Sequence, residues 1–184
     1  GSKGEVTVIH TLGKIPPARV VVAGLGKQTD FNAEVVRQVM GSTCRRLRST
    51  GIERVATILH GAGIGALETA EAAQAVAEGS LLGLYTFKRH FSKTDEKEIK
   101  ELTVVEADAS KLLTIQESMG RGRIIAEATI LARDMVNEPS NFMTPTNIAE
   151  TAQRVAQEHG LAITVLDRPQ MEEMGMGGML GVAR

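Results

Sequence analysis

Short apolar runs alternate along this chain with long stretches of helical periodicity, and this alternation constrains its fold more than any other feature. A parallel strand pair needs a crossover long enough to hold a helix, so strand and helix in turn imply βαβ units and a largely parallel sheet. Val6-Thr7-Val8-Ile9-His10 alternates weakly and reads as an edge or hairpin strand, closed by Pro16-Pro17. Arg19-Val20-Val21-Val22-Ala23-Gly24 is continuously apolar, the pattern of a strand buried on both faces. Asp30 or Asn32 is placed to cap a helix that runs to about Thr50 and stops at Gly51. A second buried strand is expected over 54–59, followed by the glycine turn 61–65. An alanine-rich helix is expected over 67–89, a charged loop over 92–100 and a third strand over 101–107.

A long helix should follow over 110–137. Ile124, Ala128, Leu131 and Met135 recur at spacings of four, three and four and define its apolar face. Gly120 and Gly122 weaken its first half and favour a bend or break there. Pro139 forbids simple continuation. Thr144-Pro145 is a helix start, with Thr144 as N-cap and Pro145 in the first turn. That helix should end at Gly160, before a strand over 161–166 and a short helix over 169–174. The implied organisation is an α/β domain over 1–109, a connecting helix and joint over 110–140, and a second α/β unit beginning at 141 and cut off at 184. Gly1-Ser2 reads as a cloning remnant, and both ends are expected to be truncations.

Composition removes several classes of function. The net charge of -1 gives no electrostatic case for nucleic acid or an anionic membrane as partner. No apolar run reaches the roughly 18 residues that span a bilayer, and no signal peptide precedes the first strand. The one cysteine, Cys44, has no disulfide partner within the chain, so a reducing compartment, the cytoplasm, is expected. With aromatics at 3%, the core must be built from Val, Ile, Leu, Ala and Met.

No motif assembles a nucleophile, a base and an oxyanion site. Gly24-Leu25-Gly26-Lys27 and the 61–65 turn each follow a strand and precede a helix, where a phosphate would bind, but lack a full nucleotide fingerprint; both read first as tight turns. His10, His60, His90 and His159 share no metal-ligand spacing. Cys44 stands among Arg45, Arg46 and Arg48, which favour a thiolate, yet its helical position beside Val39, Met40 and Leu47 suits a core residue. Glu68, Glu71 and Glu78 read as a solvated helix face. Met171, Met174, Met176 and Met179, interleaved with glycines, read as a packing surface, with a ligand pocket as the alternative.

One stretch is more specific. Asn137-Glu138-Pro139-Ser140-Asn141-Phe142-Met143-Thr144-Pro145 resembles the Asn-x-Pro-x-Asn-x-x-x-Pro joint between the two domains of the leucyl (cytosol) aminopeptidase family. His10-Thr11-Leu12-Gly13-Lys14-Ile15, Val22-Ala23-Gly24-Leu25-Gly26-Lys27 and Met174-Gly175-Met176-Gly177-Gly178 are similar to flanking parts of that family. The resemblance implies a macrodomain-like α/β domain with a mixed, mostly parallel sheet, a connecting helix and a catalytic domain. It further implies release of N-terminal residues from peptides, two divalent ions (zinc or manganese) that activate a water, and a homohexamer in the cytoplasm. The family's metal ligands lie in Asp-Ser-Gly-Gly and Asn-Thr-Asp-Ala-Glu-Gly-Arg contexts, which do not occur in these 184 residues. Catalytic, cofactor and metal residues are therefore none, and the chain alone is expected to be inactive. The alternatives are a nucleotide or ADP-ribose binding module and an assembly or regulatory domain.

Overall fold

The computed structural model describes residues 1–61, 67–92 and 97–182. They form two compact units, Gly1–Asp134 and Met135–Arg184. The first unit carries four strands. β1 (Val6–His10) and β2 (Arg19–Ala23) form an antiparallel hairpin with Val6 opposite Ala23 and His10 opposite Arg19. The link between them turns through Leu12 and Gly13, both at positive φ. It is held where Thr11 donates its amide to the Ala18 carbonyl at 3.2 Å and its hydroxyl to the Pro17 carbonyl at 2.8 Å. β3 (Arg54–Ile58) and β4 (Glu101–Val105) pair in parallel, Arg54 opposite Glu101 and Ile58 opposite Val105. The mixed α/β class is thus realised with two small sheets, one of each kind. β2 and β3 alternate between half-buried and exposed side chains; the expected burial on both faces does not occur. Of the turn expected over 61–65 only Gly61 is among the described residues, and the loop residues 93–96 lie outside them.

Three helices complete the unit. α1 (Ala33–Ser49) begins at Asn32, whose side-chain oxygen accepts from the Val35 amide at 3.1 Å, and it is followed by Gly51 at φ 73°. α2 (Thr69–Leu84) is rich in alanine and glycine, and Ala72, Ala73, Ala75 and Val76 are fully buried. It stops five residues short of the expected Arg89. The Arg48 guanidinium takes up the Leu84 carbonyl at 2.7 Å and the Thr86 hydroxyl at 3.1 Å, and Tyr85 turns to an extended ψ of 133°. α1 and α2 form the core with Leu59, Leu67 and Ile115.

α3 (Leu112–Asn137) is one continuous helix, without the expected break at Gly120 and Gly122. Its buried face is Ile115, Gly122 and Ala126. The apolar stripe inferred from spacing is not that face: Ile124 is 64% exposed and Ala128 is exposed too. The selecting constraint is distance. A Cβ on Gly122 would stand 2.6 Å from the Gln74 carbonyl oxygen, so the helices meet where α3 has no side chain. Farther along, Tyr85 donates its hydroxyl to Asp134 at 2.8 Å while the Arg133 guanidinium sits 5.6 Å from its ring centre, fastening the end of α2 to α3.

The second unit is helical in its described residues. α4 (Pro145–His159), α5 (Arg168–Glu173) and α6 (Gly177–Val182) follow one another. No strand forms over 161–166. The segment has strand composition, but a strand exists only with a partner for its backbone, and none is present among the described residues.

Candidate functional site

The joint is built almost entirely from local rules. α3 ends at Asn137, and Pro139, lacking an N–H and with φ fixed, sits in the link that follows. Its carbonyl accepts the amides of Phe142 at 2.8 Å and Met143 at 3.0 Å, closing a turn that delivers Thr144 to the start of α4. There Thr144 and Asn147 form a reciprocal box. The Asn147 amide donates to the Thr144 hydroxyl oxygen at 3.4 Å, while the Asn147 side-chain oxygen accepts the Thr144 amide at 3.2 Å and its hydroxyl at 2.6 Å. Gly160, at φ 64°, closes the other end. The cap and its boundaries fall where sequence places them. The Asn141 side chain is exposed, and Asn147 does the capping. Glu138 is buried, which no periodicity signals. Replacing Thr144 with Ala should cost about 1 kcal/mol of α4 stability, seen as roughly fivefold faster hydrogen exchange of its first-turn amides.

The glycine turn at Gly24 is a structural turn. A Cβ on Gly24 would meet the Ser2 carbonyl oxygen at 2.1 Å. Its amide donates to the Glu5 carbonyl at 2.8 Å and its carbonyl accepts the Gly4 amide at 2.9 Å, so these groups hold the chain's own backbone. Beside it lies a shallow hollow of about 260 Å³ whose lining includes both Lys3 and Lys27 and both Asp30 and Glu34, a mixture that favours neither sign of ligand.

The histidines stay apart. His60 rests its Nε2 3.2 Å from the Thr57 hydroxyl, and burial pushes its pKa below the usual imidazole value, which favours the neutral ring. His10, His90 and His159 are exposed on other segments. Cys44 is a core residue: burial pushes its thiol pKa up, against smaller opposing effects of a Ser80 hydrogen bond and the Arg45 charge, so the thiolate alternative fails. Met174 and Met179 are exposed, and Met171 and Met176 half-buried. Among the described residues no group of three His, Cys, Asp or Glu side chains is placed to hold a metal ion. The divalent ions implied by the resemblance meet no such group among the described residues.

One expectation is reversed. Glu68 and Glu71 are exposed, but Glu78 is only 5% exposed, and its carboxylate accepts the Arg37 guanidinium of α1 and, at 2.7 Å, the Gln74 amide. A signal lay in the composition of α2, whose alanines and glycines leave no side of the helix large enough to be spared from packing.

Two family models match the chain: the N-terminal domain of the cytosol aminopeptidase family over residues 1–94, and the catalytic domain of the same family over residues 130–184. A probable cytosol aminopeptidase of Alkaliphilus metalliredigens is 35% identical across 99% of this chain, and one of Geobacter sulfurreducens is 36% identical across all of it. The chain spans 37% of the length of each. Among solved structures, the bottromycin maturation enzyme BotP in complex with Mn superimposes with a TM-score of 0.79 at 28% identity, covering 96% of this chain and 35% of that one. A tomato leucine aminopeptidase mutant superimposes at 0.81 and 22% identity, over 95% of this chain and 34% of its own, which speaks for the fold. The matched segments take in both glycine turns and the whole 137–145 joint, and on these grounds the chain belongs to the cytosol aminopeptidase family.

Proposed function

We propose that this chain is the N-terminal part of a metal-dependent leucyl-type aminopeptidase, which releases N-terminal amino acids from peptides in the cytoplasm. The observation that supports it most is the catalytic-domain match over residues 130–184, which encloses the joint. In this reading residues 1–109 are the macrodomain-like domain, 110–140 the connecting helix and joint, and 141–184 the beginning of the catalytic domain. The whole enzyme uses two divalent ions, zinc or manganese; the manganese in the BotP complex supports the second. The contribution of this chain is positional: the capped turn at Pro139–Thr144 sets where α4 starts. The whole enzyme is a homohexamer.

Because the family's ligand contexts are absent from its sequence, the 184-residue chain is inactive by itself. Incubated with Leu-p-nitroanilide and manganese or zinc, it should release no p-nitroaniline above the metal-only control. Metal-dependent turnover by the purified chain would overturn the assignment of inactivity. The nucleotide-binding reading is not favoured, since the Gly24 backbone groups are engaged with residues 4 and 5; calorimetry with ADP-ribose should record no binding heat.

A further inference from the structure

Tyr85 stands where α2 ends, and its side chain reaches the far end of α3. Its backbone leaves the helix at ψ 133°. The Arg48 guanidinium of α1 brackets it, donating to the Leu84 carbonyl at 2.7 Å before it and to the Thr86 hydroxyl at 3.1 Å after it. The Tyr85 hydroxyl donates to the Asp134 carboxylate at 2.8 Å, and the Arg133 guanidinium lies 5.6 Å from the ring centre. One side chain thus holds two consecutive residues of α3, the first by its face and the second by a charge-assisted hydrogen bond. Among the described residues, Ala126 is the last buried residue of α3, and the helix ends at Asn137. Asp134 lies about 12 Å along the axis beyond Ala126, within the last turn. A helix held only where Gly122 crosses α2 can tilt about that crossing, and a tilt of about 5° moves a point 12 Å away by about 1 Å.

We propose that Tyr85 is a positioning residue for peptide cleavage: it fixes the end of α3, where the joint of residues 137–145 starts. The inference rests on the aminopeptidase reading above and names a residue to which that reading gives no role. Tyr85 acts through Asp134 and Arg133. The turn that follows, closed on the Pro139 carbonyl, then delivers Thr144 to the start of α4. With the hydroxyl removed, α3 samples several tilts and only a fraction of molecules start the joint in the right place. The misplaced fraction turns over slowly, since an error of about 1 Å at reacting groups costs about a hundredfold. The correctly placed fraction binds peptide as before. Loss of the latch therefore lowers kcat and leaves KM nearly unchanged. Its two contacts are separable. Tyr85→Phe keeps the ring for Arg133 and loses the bond to Asp134, whereas Asp134→Asn keeps an oxygen that accepts from the Tyr85 hydroxyl.

In the full-length aminopeptidase that contains this chain, assayed with Leu-p-nitroanilide and manganese, Tyr85→Phe should lower kcat about tenfold and Tyr85→Ala about a hundredfold. KM should stay within about twofold in both. Asp134→Asn should keep at least about half of the wild-type kcat. Asp134→Ala should match Tyr85→Phe, and the two combined should be no worse than either alone, because they remove the same bond. The 184-residue chain tests the latch without metal or turnover. It has one tyrosine and no tryptophan, so its ultraviolet emission reports Tyr85 alone. A phenol that donates to a carboxylate is quenched, so Asp134→Ala should brighten that emission. Amide hydrogen exchange over residues 130–137 should quicken at least about threefold in Tyr85→Phe, with α1 unchanged. Wild-type kcat in Tyr85→Ala, equal losses in Asp134→Asn and Asp134→Ala, additive losses in the double variant, or emission indifferent to Asp134→Ala would each overturn the proposal. A full-length wild-type protein without peptidase activity would instead overturn the aminopeptidase reading, and the role in cleavage with it, while emission and exchange would still register the latch.

Discussion

Replacing Gly83 with alanine is expected to destabilise the Gly1–Asp134 unit by about 3 kcal/mol, even though alanine is the better helix former. α1 and α2 touch backbone to backbone. A Cβ on Gly83 would lie 2.3 Å from Gly41 Cα and 2.8 Å from the Gly41 carbonyl oxygen. One turn earlier, a Cβ on Gly79 would lie 2.4 Å from the Arg37 carbonyl oxygen. Neither obstacle is the tip of a side chain that swings away. The helices would have to separate, and Val36, Met40, Cys44, Ala72 and Val76 pack across the same core. The helix-propensity gain of Gly→Ala is at most about 1 kcal/mol, while overpacking a rigid contact costs about 1–3 kcal/mol and sometimes more. The steric effect wins. The internal control is Gly120 of α3, where an added Cβ meets nothing within 4 Å. Gly120→Ala should therefore stabilise by about 0.5–1 kcal/mol. Thermal melts of the two variants should shift in opposite directions, Gly83→Ala downward by about 10 °C. Equal shifts would show that the glycines of α2 are not set by the crossing.

The contrast between these glycines also shows what sequence makes visible here. Features fixed within four or five residues are legible: Asn32 capping α1, Thr144 and Pro145 starting α4, Gly51 and Gly160 closing helices. Each is an exchange of hydrogen bonds along the chain, so the residue types alone announce it. Features that depend on a partner distant in sequence are not. Gly120 and Gly122 look alike in the sequence, yet one faces open space and the other the Gln74 carbonyl. The apolar spacing of Ile124, Ala128 and Leu131 is real, but α3 is placed by where its backbone approaches α2, and that face is Ile115, Gly122 and Ala126. Residues 161–166 carry strand propensity without a partner, so a correct local reading gives no strand.

Glu78 is the other position where a local reading misleads, and breaking its ion pair should cost nearly as much as crowding the crossing. Its carboxylate is held by the Arg37 guanidinium and the Gln74 amide and is almost sealed from water. Arg37 keeps 32% of its side chain exposed and reaches Glu34 at 3.7 Å. The two ends of the pair are therefore unequal. Arg37→Met strands a buried carboxylate with only an amide for company and should cost about 3 kcal/mol. Glu78→Met leaves a guanidinium that water and Glu34 still solvate, and should cost about 1–2 kcal/mol. Removing both leaves no buried charge, so the double variant should be more stable than Arg37→Met alone, with a coupling energy of about 2 kcal/mol in the cycle. Lys100 and Glu53 provide the comparison: they approach to 3.0 Å, but both are more than half exposed. A cycle at that pair should return less than about 1 kcal/mol, because water screens each charge whether or not the other is present. Urea unfolding of the two sets measures the difference. If the couplings came out equal, burial would not be what makes the Arg37–Glu78 pair matter, and the clamp between α1 and α2 would reduce to the close approach of Gly41, Gly79 and Gly83.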